Sequence, residues 1–110
     1  MSEQTAELDL ESIVFKIISQ AGDARSDVMN ALREARKGDY KKAKETIEKA
    51  DKKLSNAHQV HKKIIQKEAK GEKVEMSVLM AHAEDHFMNA QLARDLVKEM
   101  IPLFEETKES

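Results

Sequence analysis

Two histidines and an aspartate stand close together in the last third of the sequence. His82, Asp85 and His86 lie within five consecutive residues, and their spacing places them on one side of an α-helix. A neutral imidazole is nucleophilic, so it can accept a phosphoryl group on one ring nitrogen while a hydrogen bond to the other fixes the tautomer. We therefore predict that any chemistry of this chain is concentrated here, where His86, one turn from His82, could contact the oxygens of a phosphoryl group or orient the first ring.

The histidine pair alone leaves two other interpretations open. Both rings could be packed or solvent-bridging side chains without a chemical role. A His-x-x-x-His pair can also bind zinc, but the metallopeptidase signature places a glutamate directly after the first histidine or directly before the second. Those positions hold Ala83 and Asp85, and no third ligand is apparent, so zinc hydrolysis is the weaker hypothesis.

The composition is typical of a small helical bundle. The 110 residues suit one domain, and they include one proline, three glycines and no tryptophan. Because the chain has no cysteine, it has no disulfide, thiolate zinc site or nucleophilic thiol. No run approaches the roughly 18 apolar residues of a membrane span, and the first residues are acidic rather than basic. We expect a cytoplasmic protein without direct membrane insertion.

Apolar residues recur at helical spacing in three segments. We predict helices over roughly residues 8–37, 40–70 and 77–106, joined by short connections. The predicted fold is all-α, a single domain over residues 1–110 that forms an antiparallel up-down-up bundle. The first stripe consists of Leu10, Val14, Ile17, Ala21, Ala24, Val28, Ala31 and Ala35. The second consists of Tyr40, Ala43, Ile47, Ala50, Leu54, Ala57, His61 and Ile64.

Polar residues at the ends of these segments predict how the helices begin and stop. Asp9 or Ser12 is expected to cap the first helix and Ser77 the third, while Gly38 and Asp39 end the first helix and cap the second. The small residues at 21–24, which include Gly22, are interpreted as a patch that lets another helix come close. The polar tail over residues 105–110 is expected to fray.

The third segment carries two apolar seams where the others carry one. The first seam consists of Leu79, Ala83, His86, Ala90, Ala93, Val97, Met100 and Phe104. The second consists of Val78, His82, Asp85, Asn89, Leu92, Leu96 and Leu103. Because two seams need two partners, we predict that this helix also lines a subunit interface. In a cyclic parallel assembly the Asp85 carboxylates would meet and repel unless protonated or bridged by a cation, so Asp85 is a candidate metal ligand contributed once per subunit.

Several blocks of the sequence resemble one protein family. They include the Gly-x-Ala-Arg block at residues 22–25, the glycine turn near residues 38–40 and, most specifically, the His-x-x-Asp-His-x-Met run at residues 82–88. Together they resemble the lactose/cellobiose-type enzyme IIA of the bacterial phosphoenolpyruvate:sugar phosphotransferase system. The resemblance extends over nearly the whole chain, from Leu10 to Phe104.

The resemblance implies a homotrimer of three-helix subunits with the third helix at the axis. Such a protein accepts a phosphoryl group from phospho-HPr onto one histidine and passes it to a cysteine of the cognate IIB component during uptake of a β-linked disaccharide. By this resemblance His82 is the phosphorylated residue and His86 its supporting neighbour. Asp85 meets its symmetry mates around a divalent ion, Mg²⁺ in this reading. Cellobiose, chitobiose-type sugars and lactose all remain open as the imported sugar.

The resemblance has two mild departures and leaves some side chains without a settled role. Glu84 stands where many relatives have glutamine, and Phe87 where leucine is common, so a direct contact of Glu84 with phosphate is not expected. Met80, Phe87 and Met88 are candidate docking residues for HPr and IIB, or core residues. Of the remaining histidines, His58 is interpreted as a partly exposed side chain and His61 as part of the apolar stripe of the second helix. The alternative is that both belong to a network of contacts between helices.

Two alternatives come from other functional classes. One is a non-catalytic helical interaction or regulatory module that keeps the bundle but not phosphotransfer. The other is a nucleic-acid-binding bundle that uses the lysine-rich stretch from Lys37 to Lys73. We interpret those lysines as a solvated face and expect no nucleic-acid partner, because the stretch lacks arginine and has Tyr40 as its one aromatic side chain outside histidine.

Overall fold

The computed structural model describes the backbone of residues 3–109 and the side chains of residues 10–108. Over these residues it contains three helices and no strand: α1 at Glu3–Arg36, α2 at Tyr40–Ala69 and α3 at Val78–Glu109. The predicted all-α class and helix order are confirmed. None of the described helices is long and apolar enough to cross a membrane.

The core lies along the single stripes predicted for α1 and α2. Every residue of the α1 stripe from Val14 to Ala35 is buried, and Leu10 packs against the same cluster. On α2 the stripe is buried from Ala43 to Ile64, except that His61 is partly buried. Burial of these stripes gives the bundle its cohesion, and partly buried neighbours such as Ile13, Ile18 and Leu32 pack against them.

Two glycine turns end α1 and α2 in the same way. After α1, the N–H groups of Gly38 and Asp39 donate to the carbonyls of Ala35 and Glu34 at 3.0 and 2.9 Å. After α2, Gly71 adopts the corresponding left-handed conformation, with φ values of 89° and 87° at the two glycines. Both turns are Schellman motifs, which glycine favours because it has no Cβ to strain.

Two of the predicted caps are present in the structure. The carboxylate of Asp39 accepts a hydrogen bond from the Lys42 N–H at 3.2 Å, and the Ser77 hydroxyl accepts one from the Met80 N–H at 3.0 Å. These bonds satisfy backbone donors that have no partner within the first turn of a helix. They fix where α2 and α3 begin, and therefore where the candidate residues of α3 are placed.

Two expectations about the ends of the bundle are wrong. The backbone at Asp9 and Ser12 lies inside α1, so neither residue caps it. The tail does not fray over residues 105–109 but continues α3 beyond Pro102; residue 110 lies outside the described part of the chain. This end of α3 contacts α2: the Tyr40 hydroxyl donates to the carbonyl of Phe104 at 3.3 Å, and Glu105 pairs with Lys44 at 3.1 Å.

Polar contacts between helices confirm the antiparallel arrangement. Asp27 near the end of α1 bonds to Lys53 in the middle of α2 at 2.8 Å. Asp51 on α2 pairs with Arg94 and Lys98 on α3 at 3.3 and 2.8 Å. On α2 and α3 the order is reversed, since Asp51 in the first half of α2 meets residues in the second half of α3, as two antiparallel helices require.

Candidate functional site

The candidate histidines lie in the first turns of α3, just after the Ser77 cap. Met80, Ala83 and Phe87 are buried in the core, so they hold this part of α3 against α1 and α2. The same anchoring leaves His82 exposed and His86 partly buried. The chain therefore presents His82 to incoming molecules on a helix whose opposite face is fixed.

The two imidazole rings lie against each other. Their centroids are 4.2 Å apart with an interplanar angle of 60°, as expected for side chains one turn apart. At this distance His86 can contact a group attached to the neighbouring ring, or restrict the orientation of that ring. The structure thus brings together the two histidines that the spacing predicted, one accessible and one half-buried.

Asp85 lies on the exposed side of α3 and not in the core. The same side carries the second apolar seam, whose apolar members Val78, Leu92, Leu96 and Leu103 are all more than half exposed. Among the described residues no group of three or more histidine, aspartate or glutamate side chains is arranged to hold a metal ion.

Glu84 points away from this exposed face and pairs with α2. Its Oε1 atom lies 2.9 Å from Nε2 of His61. The His61 ring in turn lies beside Phe87 with a centroid distance of 5.5 Å, and His58 stacks on the same phenyl ring at 6.2 Å. The interhelical network offered as an alternative for these histidines is present, and Glu84 is engaged in it.

The candidate docking residues differ in accessibility. Met80 and Phe87 are 1% and 3% exposed, whereas Met88 is 63% exposed. Met80 and Phe87 are therefore core residues, which is one of the two alternatives that the sequence left open for them, and their side chains do not face partner proteins. Phe87 is buried because it fills the space between α3 and the histidines of α2. Of the three, Met88 alone presents an apolar surface beside the histidine pair.

A groove runs beside His86 along α1. It has a volume of about 680 Å³, and its polar lining consists of Arg25, Ser26, Asn30, Arg33 and His86. Arg25 belongs to the Gly-x-Ala-Arg block, to which the sequence assigned no chemical role, and Ser26, Asn30 and Arg33 were not predicted as site residues. Ser26, Asn30 and Arg33 are separated by four, three and seven residues, which places them on one face of a helix. This signal becomes informative once α1 is known to lie beside α3.

Comparison with known proteins identifies the family. Residues 12–105 match the family described as "PTS system, Lactose/Cellobiose specific IIA subunit". The chain belongs to this family. Components of this kind are parts of the sugar phosphotransferase system that carry phosphoryl groups, and this enzyme IIA chain is one of them.

Individual relatives cover nearly the whole enzyme IIA chain. The lichenan-specific phosphotransferase enzyme IIA component of Bacillus subtilis is 43% identical over 101 residues, which are 92% of each protein. The crystal structure of the cellobiose-specific enzyme IIA from Bacillus anthracis superimposes with a TM-score of 0.87 at 41% identity, covering 91% of this chain and 92% of the other.

A third relative was solved together with a partner protein. It is IIA(Chitobiose) of Escherichia coli, in the solution structures of its complex with HPr. It superimposes on this enzyme IIA with a TM-score of 0.78 at 38% identity, covering 90% of this chain and 96% of the other. The three-helix fold derived above is therefore the fold of solved members of the family.

Proposed function

We propose that this enzyme IIA accepts a phosphoryl group from phospho-HPr on His82 and passes it to a cysteine of the cognate IIB component. One observation carries the proposal. The exposed His82 ring lies beside the ring of His86, with 4.2 Å between the two centroids, on a helix that is anchored in the core. Phosphoryl transfer depends mainly on positioning and charge stabilisation, which a rigid helix face supplies.

The transfer consists of two nucleophilic displacements at phosphorus. In the first, the lone pair of a ring nitrogen of His82 attacks, an N–P bond forms, and the bond between phosphorus and the donor breaks with its electron pair retained by the donor. In the second, a thiolate sulfur attacks, an S–P bond forms, and the N–P bond breaks to return the lone pair to the ring. The acceptor thiol belongs to another polypeptide or domain, since this chain has no cysteine.

We assign His86 the supporting role in these steps. Its ring is half-buried and adjacent to the nucleophile, so its orientation is restricted more than that of an exposed side chain. A ring N–H of His86 can donate a hydrogen bond to a phosphoryl oxygen or hold the neighbouring imidazole in a productive orientation. Either contribution strengthens as the phosphoryl group arrives.

We further propose that three copies of the chain assemble in parallel around α3, with Asp85 at the axis. The exposed seam on α3, which includes Val78 and Leu96, is an apolar surface that a second copy would remove from water. Carboxylate oxygens are the ligands that Mg²⁺ prefers, so Asp85 from each subunit would hold such an ion and offset the repulsion between like charges.

The partners and the sugar follow from the family. The complex of the Escherichia coli relative with HPr supports HPr as the phosphoryl donor. We propose that the transfer takes place in the cytoplasm. The relatives are named for lichenan, cellobiose and N,N'-diacetylchitobiose. We therefore propose a β-linked disaccharide of the cellobiose, chitobiose or lactose type as the transported sugar.

Intact-mass measurement tests the proposed function directly. The purified protein is incubated with phosphoenolpyruvate, enzyme I and HPr, and we expect a mass increase of one phosphoryl group per chain. Subsequent addition of IIB should remove that increase. A chain whose mass stays unchanged in the first step would instead support a non-catalytic module that retains the bundle.

A further inference from the structure

The groove between α1 and α3 is rich in hydrogen-bond donors and positive charge. Arg25 and Arg33 contribute guanidinium groups, Ser26 and Asn30 contribute a hydroxyl and an amide, and His86 closes the α3 side. No lining residue carries a carboxylate. A concave surface of this composition favours an anion.

The charges in the groove are not neutralised by the rest of the described chain. Arg25 makes no hydrogen bond or ion pair with any described residue, and Arg33 donates to the side chain of Asn30, within the groove, at 3.1 Å. Asp27, the acidic neighbour of Ser26 in sequence, is bonded to Lys53 at 2.8 Å. Both guanidinium groups therefore retain N–H donors for a ligand.

Gly22 leaves the wall of the groove open. A Cβ atom built on Gly22 would meet no heavy atom within 4 Å, so no intrachain contact requires glycine here. The expected close approach of another helix at Gly22 is absent within the chain, although the flanking Ala21 and Ala24 are fully buried. The chain thus has open space at a position where glycine weakens the helix.

We propose that this groove is an oxyanion site for a phosphoryl group, in which Arg25 and Arg33 supply the charge and the forked N–H donors. Arginine binds phosphate oxygens in pairs through its planar fork. His86 lines the groove and its ring centroid is 4.2 Å from that of His82. The groove can therefore receive free phosphate and, given the proposed function, the oxygens of a phosphoryl group carried on His82.

Titration with inorganic phosphate tests the site without any transfer reaction. Backbone and histidine NMR signals of the unphosphorylated protein are followed at constant ionic strength, with chloride as the reference anion. We expect phosphate to shift the signals of Arg25, Ser26 and His86. The double variant Arg25→Gln/Arg33→Gln should weaken phosphate binding by about tenfold or more, since two charge-assisted contacts are lost.

Arg36→Gln serves as the matched control, because Arg36 is an exposed arginine of the same helix that lies outside the groove. It should bind phosphate as the wild type does. Equal phosphate binding by the double variant and the wild type would overturn the proposal, as would a wild-type protein that shows no shift beyond that caused by chloride.

The rate of phosphorylation by phospho-HPr distinguishes the two sources of the anion. A double variant that loses phosphate binding and is phosphorylated about tenfold or more slowly supports a site for the group on His82. Loss of phosphate binding with an unchanged rate supports a site for free phosphate and overturns the link to His82. A wild-type chain that binds phosphate but is never phosphorylated would refute the proposed function and leave the oxyanion site standing.

Discussion

The Nε2 atom of His61 on α2 lies 2.9 Å from Oε1 of Glu84 on α3, two residues beyond the proposed nucleophile. This contact joins the two helices on the side of α3 opposite the exposed seam. The contact engages Glu84, which is the one acidic residue between His82 and Asp85 in the sequence. The negative charge of Glu84 is therefore directed at α2.

Removing the Glu84 carboxylate should loosen the contact between α2 and α3. Glu84→Ala is expected to lower the free energy of unfolding by about 1 kcal/mol, the usual net contribution of one hydrogen bond. Glu84→Gln should have a smaller effect, because its amide can still bond to the imidazole. Urea denaturation at fixed protein concentration measures both. Glu99→Ala, which alters an exposed glutamate of the same helix, is the control and should change little.

Phe87 and Met88 provide a contrast between neighbouring side chains. Phe87 is 3% exposed and Met88 is 63% exposed. Phe87→Ala should therefore lower the free energy of unfolding by about 3–5 kcal/mol, the range for a buried phenyl ring. Met88→Ala should stay within about 0.5 kcal/mol of the wild type. Equal losses in the two variants, measured by urea denaturation, would show that Met88 is also buried in solution.

Two glycines should respond in opposite directions to the same substitution. Gly22→Ala should raise the free energy of unfolding by about 0.5–1 kcal/mol, because alanine favours the helix and its methyl group meets no atom of the chain within 4 Å. Gly38→Ala should lower it by about 1 kcal/mol or more, since Gly38 has a φ of 89°. A destabilising Gly22→Ala would indicate that another molecule fills that space.

Asp85→Leu tests the proposed axial metal. The wild type should lose trimer when divalent ions are chelated, because the unbridged carboxylates repel each other. The leucine variant should remain a trimer with or without the ion, since apolar packing replaces the charges. Sedimentation with and without chelator measures both. Asp23→Leu, at an exposed aspartate of α1, should keep the metal dependence. A monomeric Asp85→Leu variant would show that Asp85 is not at the axis.

The sequence was sufficient for the parts of the fold that depend on local signals. The α1 and α2 stripes have one apolar face each, so their buried residues were predictable from spacing alone. The turn at Gly38 and Asp39 and the cap at Ser77 were equally predictable, because each uses residue types with a specific backbone role. The nearness of His82 and His86 followed from helix geometry.

Features that depend on contacts between distant residues were not predictable in this way. Residues 105–109 look polar and unstructured in isolation, but α3 continues through them, and Glu105 pairs with Lys44 of α2. Phe87 belongs to neither predicted seam and lies beside the first one, so its burial depends on which face of α3 meets the α2 histidines. The groove at Arg25 and Arg33 exists because α1 lies beside α3, which no local pattern specifies.

The central claim is that His82 carries the phosphoryl group, and mapping of the phosphorylated residue tests it most directly. The chain has four histidines, so each is replaced by alanine in turn and phosphorylation from phosphoenolpyruvate through enzyme I and HPr is followed by intact mass. We expect no mass increase in His82→Ala, slower phosphorylation in His86→Ala, and a full increase in His58→Ala and His61→Ala. A full mass increase in the folded His82→Ala protein would contradict the account.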